Sequence, residues 1–174
     1  MNAWWEQLLR AQQSEGFSDL AGAEALATIP ISDGLITRAI VRRLPPSAPI
    51  RELEVHAHDG DQFTVRVRLT SPALLPSVQL RLAIERQPEL PGSPIFVLAV
   101  VSQGLASLAV NALKFVGRLP AGVRFDGRRF VIDLETILER YGASQALTYV
   151  TDLKVTTVDG RFIVRARGAV PGRI

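Results

Sequence analysis

The run His56-Ala57-His58-Asp59-Gly60-Asp61 holds the densest set of side chains able to do chemistry in this sequence. Residues two apart on a β-strand share a face, so His56 and His58 would present two imidazoles to one side, which is how many divalent-metal sites begin. The spacing departs from the metallo-hydrolase pattern, where a carboxylate sits two residues after the second histidine and a further histidine follows. The chain has 2 histidines in all, so no third imidazole completes the set. A turn accounts for Asp59 and Asp61, and a solvated strand face accounts for His56 and His58. The sequence therefore predicts no metal site, no catalytic residue and no cofactor. An enzyme built on the two histidines is the least favoured class.

Other chemistry-bearing patterns are weaker still. No G-x-S-x-G elbow, phosphate-binding loop or dinucleotide fingerprint occurs. Glu135 and Glu139 stand at i, i+4 on what reads as the solvated side of a helix. There are 0 cysteines, which excludes disulfides and thiolate catalysis. Trp4 and Trp5 fit either a membrane-interface contact or packing on the protein's own surface or a partner chain, the second being the simpler because Glu6 and Arg10 give no basic face.

The histidine pair must be positioned by a hairpin, and that hairpin is written twice. Leu53–Arg68 and Leu153–Arg167 both read L-x-V, three residues, D-G, and then V-R-[VA]-R, with the leucines 100 positions apart. Asp-Gly between alternating apolar residues is a strong hairpin signal, because glycine reaches positive φ without steric cost. The first copy predicts Val55 opposite Val65, Leu53 opposite Val67 and Ala57 opposite Phe63, with Glu54 against Arg66 and Glu52 against Arg68 outside. The second predicts Val155 opposite Val164, Leu153 opposite Ala166, Asp152 opposite Arg167, and Lys154 opposite Arg165. A two-residue type I′ turn is expected at Asp159-Gly160 and a longer, bulged loop around Asp61, so a side chain at Gly160 should cost more than one at Gly60.

The remaining elements follow from periodicity. Residues 1–28 read as a helical appendage: a short helix, a break at Gly16, and a second weak helix or loop ending at Pro30. Residues 29–174 read as a single domain. Ser32 caps a helix running to Leu44, with Leu35, Ile36, Ala39 and Ile40 in its apolar stripe. Val78–Glu85 alternates as a half-buried strand, and Ile95–Val101 is apolar on both faces. Ser102 caps a helix over 103–116 whose apolar stripe is unusually wide. A third Asp-Gly turn, Asp126-Gly127, joins two short strands, and Asp133 caps a short helix ended by Gly142. The layout is α+β with an antiparallel sheet.

Composition agrees with a folded domain, at 47% apolar and 21% charged residues. The net charge of +3 comes from 18 arginines and 2 lysines against 17 acidic residues. Because the strand arginines pair with glutamates across the hairpins, no nucleic-acid partner is expected. No apolar run reaches the ~20 residues of a membrane span. The first residues lack a basic and an apolar segment, which reads as cytoplasmic, with the envelope as the setting if an export signal precedes this sequence.

In this order of elements, Ile31–Ile40 feeding Ile50–Val55 and its hairpin, Phe125–Leu134, and the closing Leu153–Phe162 hairpin resemble the tubular lipid-binding (TULIP-like) superfamily, including its small bacterial single-domain members. The resemblance covers residues 30–170 and rests on alternation rather than on fixed chemical residues. It implies a strongly curved antiparallel sheet wrapped around one or two long helices, a half-barrel with an apolar groove or tunnel for acyl chains. The implied function is non-catalytic binding of a lipid or other apolar ligand, with lipid transfer or transport as an extension. The expected lining is Leu35, Ala39, Ile40, Leu80, Leu82, Val97, Leu105, Leu108, Ala109 and Ala112, and Trp4 and Trp5 are the expected membrane or partner contact. The alternative is a scaffold or homo-oligomer with a filled core, assembled through the N-terminal segment or an edge strand.

Overall fold

The computed structural model describes residues 21–44, 46, 48, 50–70, 77–101 and 119–170. It opens with β1 (Glu24–Ser32), which turns into α1 (Asp33–Val41). Ser32 caps this helix, its hydroxyl accepting from the Leu35 N–H at 3.4 Å, and Asp33 places a negative charge at the positive end of the helix dipole. A run of hairpins follows: β2 (Ile50–His58) and β3 (Gln62–Leu69), β4 (Val78–Arg86) and β5 (Ile95–Val100), then β6 (Val123–Phe125) and β7 (Arg129–Asp133). Asp133 accepts from the N–H groups of Glu135 and Thr136, starting α2 (Leu134–Arg140). A single turn, α3 (Ala146–Tyr149), then leads into β8 (Val150–Val158) and β9 (Arg161–Ala169).

Both hairpin registers are those expected. Val55 opposes Val65, Leu53 opposes Val67 and Ala57 opposes Phe63. In the second hairpin Val155 opposes Val164, Leu153 opposes Ala166 and Lys154 opposes Arg165. Period-two alternation fixes this register, because a slip of one residue would turn every apolar side chain to solvent. On the outer face Arg68 meets Glu52 at 3.1 Å and Arg66 meets Glu54 at 3.6 Å.

Three features differ from expectation. The stretch read as a weak helix or loop is β1, which pairs with β9 from Glu24↔Ala169 to Ser32↔Arg161 and runs through the boundary placed at residue 28. Its alanines are good helix formers, but the ladder offered by β9 outweighs that small preference. The Asp159-Gly160 turn is not type I′, since only the glycine has positive φ (71°). In the first loop Gly60 (φ 78°) and Asp61 (φ 58°) are both positive. Lastly, the described strands form two antiparallel sheets rather than one, a three-stranded sheet ordered β1-β9-β8 and a six-stranded sheet ordered β2-β3-β4-β5-β7-β6.

The sheets meet where the two hairpin ends come together. Val55, Ala57, Phe63, Leu82, Leu98 and Phe130 of the larger sheet form one buried cluster with Phe162 of the smaller. Phe63 and Phe162 pack edge to face with ring centroids 5.2 Å apart. Ile36 of α1 and Ile31 of β1 close one side of this cluster. β5 is buried on both faces, at Val97 and at Leu98, as its uninterrupted apolar run suggests.

Candidate functional site

Among the described residues, two candidate places bring side chains from several elements together, and both involve the second hairpin. At one end, the Asp159-Gly160 turn docks on the first hairpin. The Gly160 N–H donates to Ala57 O (3.1 Å), and Gly160 O accepts from the Asp33 N–H (3.3 Å). The Asp159 N–H donates to Asp59 Oδ1 (3.2 Å), and the Thr157 N–H donates to Asp61 Oδ1 (3.1 Å). The Thr157 hydroxyl, buried with its residue, donates to Gln62 O (3.2 Å). The aspartates that the sequence assigned to turns thus also stitch one hairpin to the other.

This docking builds a polar cluster around the two histidines. His56 Nδ1 lies 2.8 Å from Asp33 Oδ2, and His56 Nε2 lies 3.5 Å from Asp159 Oδ1. His58 Nε2 lies 2.8 Å from Thr64 Oγ1. The two imidazoles meet edge to face, with centroids 4.8 Å apart. His56, His58 and Asp159 each offer one ligand atom, all within 4.8 Å of one another, and among the described residues this is the set able to hold a metal ion. The sequence placed His56 and His58 on one strand face correctly. It could not supply Asp159, whose approach from 100 residues away is a product of hairpin docking.

At the other end of the second hairpin lies a cleft of about 600 Å³. It is lined largely by small residues, among them Ala25, Ala143, Ala146 and Gly168, with Tyr149 at its side and Glu24 and Gln145 as its polar positions. The inner face of the smaller sheet leads into it. Ile31 pairs with Phe162, Ile29 with Val164, Ala27 with Ala166 and Ala25 with Gly168, all on one face because alternate residues share a side. Along these β1–β9 pairs side-chain volume falls from the core to the cleft, while β8 carries Thr157, Val155 and Leu153 on the same face. The face spans about 20 Å at ~3.3 Å per residue.

The residues expected to line a ligand groove are distributed differently. Leu80 and Leu82 share the core face of β4, paired with Val65 and Phe63. Val97 lies on the opposite face of the sheet from Leu98, which packs in the core opposite Phe130. On α1, Leu35, Ala39 and Ile40 are exposed. None of these six lines the cleft. Leu105, Leu108, Ala109, Ala112, Trp4 and Trp5 lie outside the described residues. The cleft carried one sequence signal, the small-residue alternation Ala25-x-Ala27 and Ala166-x-Gly168, which is too common to name a site unless β1 is known to pair with β9. Compared with known proteins, the chain matches no family model, no curated protein and no solved structure.

Proposed function

We propose that this protein is a non-catalytic binder of an elongated apolar ligand, a fatty-acyl chain or lipid. The ligand would lie along the inner face of β1, β9 and β8 with its end in the cleft beside α3. The observation that carries the reading is the taper of the β1–β9 pairs on that face, from Ile31 and Phe162 in the core to Ala25 and Gly168 in the cleft. Large residues fill space and small ones leave it, so an extended apolar chain fits beside Ala27, Ala166 and Ala25, whereas at Gly168 the Tyr149 carbonyl oxygen lies 3.2 Å from where a Cβ would sit. The cleft's volume is within the ~300–1,000 Å³ usual for small-molecule sites, and each CH₂ withdrawn from water contributes about 0.8 kcal/mol. Ile29, on this face, remains 51% exposed although it pairs with Val164, which supports a face that awaits cover.

The tubular lipid-binding resemblance, with its strongly curved sheet, is part of this proposal; residues 103–116 lie outside the described residues. The outer face of the smaller sheet offers a further support, because Lys154 stands opposite Arg165 and Arg161 continues the same face of β9, with Asp152 opposite Arg167 as the acidic partner there. A cationic face favours approach to anionic lipid headgroups and fits a peripheral membrane contact. A second reading, assembly of copies of this chain through an edge strand, has Leu26 in its favour, 72% exposed on edge strand β1.

The test is titration with a fluorescent polyene fatty acid, with native mass spectrometry of protein taken from cells. Wild type should bind saturably and carry a lipid mass. Ala25→Trp, at an exposed position that the cleft includes, should weaken binding at least about tenfold with an unchanged melting temperature, because an indole of ~150–250 Å² would occupy the ligand's space. No saturable binding by wild type, or equal binding by the variant, refutes the proposal. Light scattering on the same samples tests the second reading, which a monomer removes.

A further inference from the structure

We infer that His56, His58 and Asp159 form a binding site for a divalent transition-metal ion that clamps the second hairpin to the first. Three independent features of the geometry support it.

The first is spacing. Zinc bonds of ~2.0–2.1 Å in a tetrahedral arrangement put neighbouring ligand atoms roughly 3.3–3.4 Å apart. His56 Nε2 and Asp159 Oδ1 are already 3.5 Å apart, and the three ligand atoms fall within 4.8 Å of each other. Closing the set around an ion needs a rotation of the His56 and Asp159 side chains, 54% and 80% exposed, toward the half-buried His58.

The second is the state of the imidazoles. A metal-binding histidine generally donates its other ring N–H to a carboxylate or similar oxygen, which fixes the tautomer and points the free lone pair at the ion. His56 has this arrangement. Its Nδ1 faces Asp33 Oδ2 at 2.8 Å, which leaves Nε2 directed at Asp159. Asp33 is itself firmly held, because its side chain is only 18% exposed and its Oδ1 accepts from the Ala57 N–H at 3.1 Å. His58 Nε2 lies 2.8 Å from Thr64 Oγ1, and the tautomer that donates to this hydroxyl leaves Nδ1 for the ion.

The third is the fixing of Asp159. Its backbone N–H is bound by Asp59 Oδ1, and the glycine after it is hydrogen-bonded through both backbone groups to the first hairpin and to Asp33. The carboxylate is therefore presented to the histidines by a docked backbone. The donor set of two imidazoles and one carboxylate, without thiolate, suits zinc, nickel or copper. It does not suit calcium, which takes 6–8 oxygens. Three protein ligands leave a fourth position for water. The competing arrangement is a protonated His56 bridging Asp33 and Asp159 as a plain ion pair, and it has no place for a metal.

The experiment is calorimetric titration of the untagged chain with zinc chloride, paired with thermal melts in the presence and absence of zinc. Wild type should bind zinc saturably and melt higher with it. His58→Gln, at a half-buried position, and Asp159→Asn, at an exposed one, should each weaken binding at least about tenfold and abolish the thermal shift while retaining the far-ultraviolet circular dichroism. Asp33→Asn, which removes the partner of His56 rather than a ligand, should weaken binding by roughly 10–100-fold. The inference is overturned if wild type shows no saturable zinc binding, the outcome the plain ion pair requires. It is equally overturned if His58→Gln and Asp159→Asn both keep wild-type affinity. The fatty-acid titration is independent of these outcomes, so either result can fail without the other.

Discussion

Gln87 lies one residue beyond β4 and crosses from the larger sheet to the smaller. Its amide donates to Val155 O at 2.6 Å and its carbonyl oxygen accepts from the Val155 N–H at 3.0 Å. β8 is an edge strand with β9 on its other side, so Gln87 supplies at Val155 what a neighbouring strand would supply. β8 also links the two candidate sites, with Val150 in the cleft at its start and Asp159 just past its end. Gln87→Met keeps the length of the side chain and removes both bonds. Each bond is worth about 0.5–1.5 kcal/mol net, and the Val155 groups are half-buried, so the expected loss is about 2 kcal/mol. For a chain of 174 residues that corresponds to a fall in melting temperature of about 4–8 °C, at ~2–4 °C per kcal/mol. The assay is equilibrium urea unfolding, where the midpoint should drop with the slope unchanged, since the surface exposed on unfolding is the same. Gln87→Glu is the companion: it retains the acceptor but sets a carboxylate against Val155 O, and should be at least as destabilising. A Gln87→Met variant within about 0.5 kcal/mol of wild type, the range of an ordinary surface change, would overturn this account and show that water replaces the tie at no cost.

Glycine substitutions separate backbone strain from crowding. Gly60→Ala and Gly160→Ala should each cost about 1–2 kcal/mol in chemical denaturation and should be alike, because both have positive φ and open space where a Cβ would sit. Gly122→Ala should cost clearly more, since its Cβ would lie 3.0 Å from both Asp133 O and Ile137 Cγ1; three equal losses would contradict this. The Asp126 carboxyl is held below its ordinary pKa by the N–H groups of Arg128 and Arg129. A lowered folded-state pKa stabilises above the unfolded value and is lost as pH falls through the folded one. The midpoint gap between wild type and Asp126→Asn should therefore be constant near neutrality and shrink below about pH 3.9. A gap that does not change with pH would show that the turn gives the ionised form no preference.

Much of the local structure was legible because it depends on near neighbours. Alternation in Leu53–Ala57 and Phe63–Val67 sets the register, and the observed pairs are those pairs. Ser32 and Asp133 cap the helices that follow them for the same reason, since a cap needs only a side-chain oxygen two or three residues before the N–H it accepts from. β1 was illegible because its partner is β9: Glu24–Ser32 has no strong alternation of its own and becomes a strand only when Phe162 and Val164 give it a ladder. The turn at Asp159-Gly160 departs from type I′ where the hairpin is docked as well as folded, its glycine being held by Ala57 and Asp33.

The two candidate sites divide along the same line. Residue order alone was enough to put His56 and His58 on one strand face, to set Asp59 and Asp159 at equivalent places in two like hairpins, and to show that the closing strands bury one apolar face. The docking of these hairpins end to end, which brings Asp159 to the histidines, emerges only in the packed molecule. So does the pairing of β1 with β9, which sets Ala25 beside Gly168 at the cleft. The difference is one of range. Periodicity and capping are settled over a few residues along the chain, where spacing alone fixes geometry. The meeting of positions 56 and 159, or 25 and 168, depends on how separately formed elements bury their apolar faces together, and the pattern within either element says nothing of its partner.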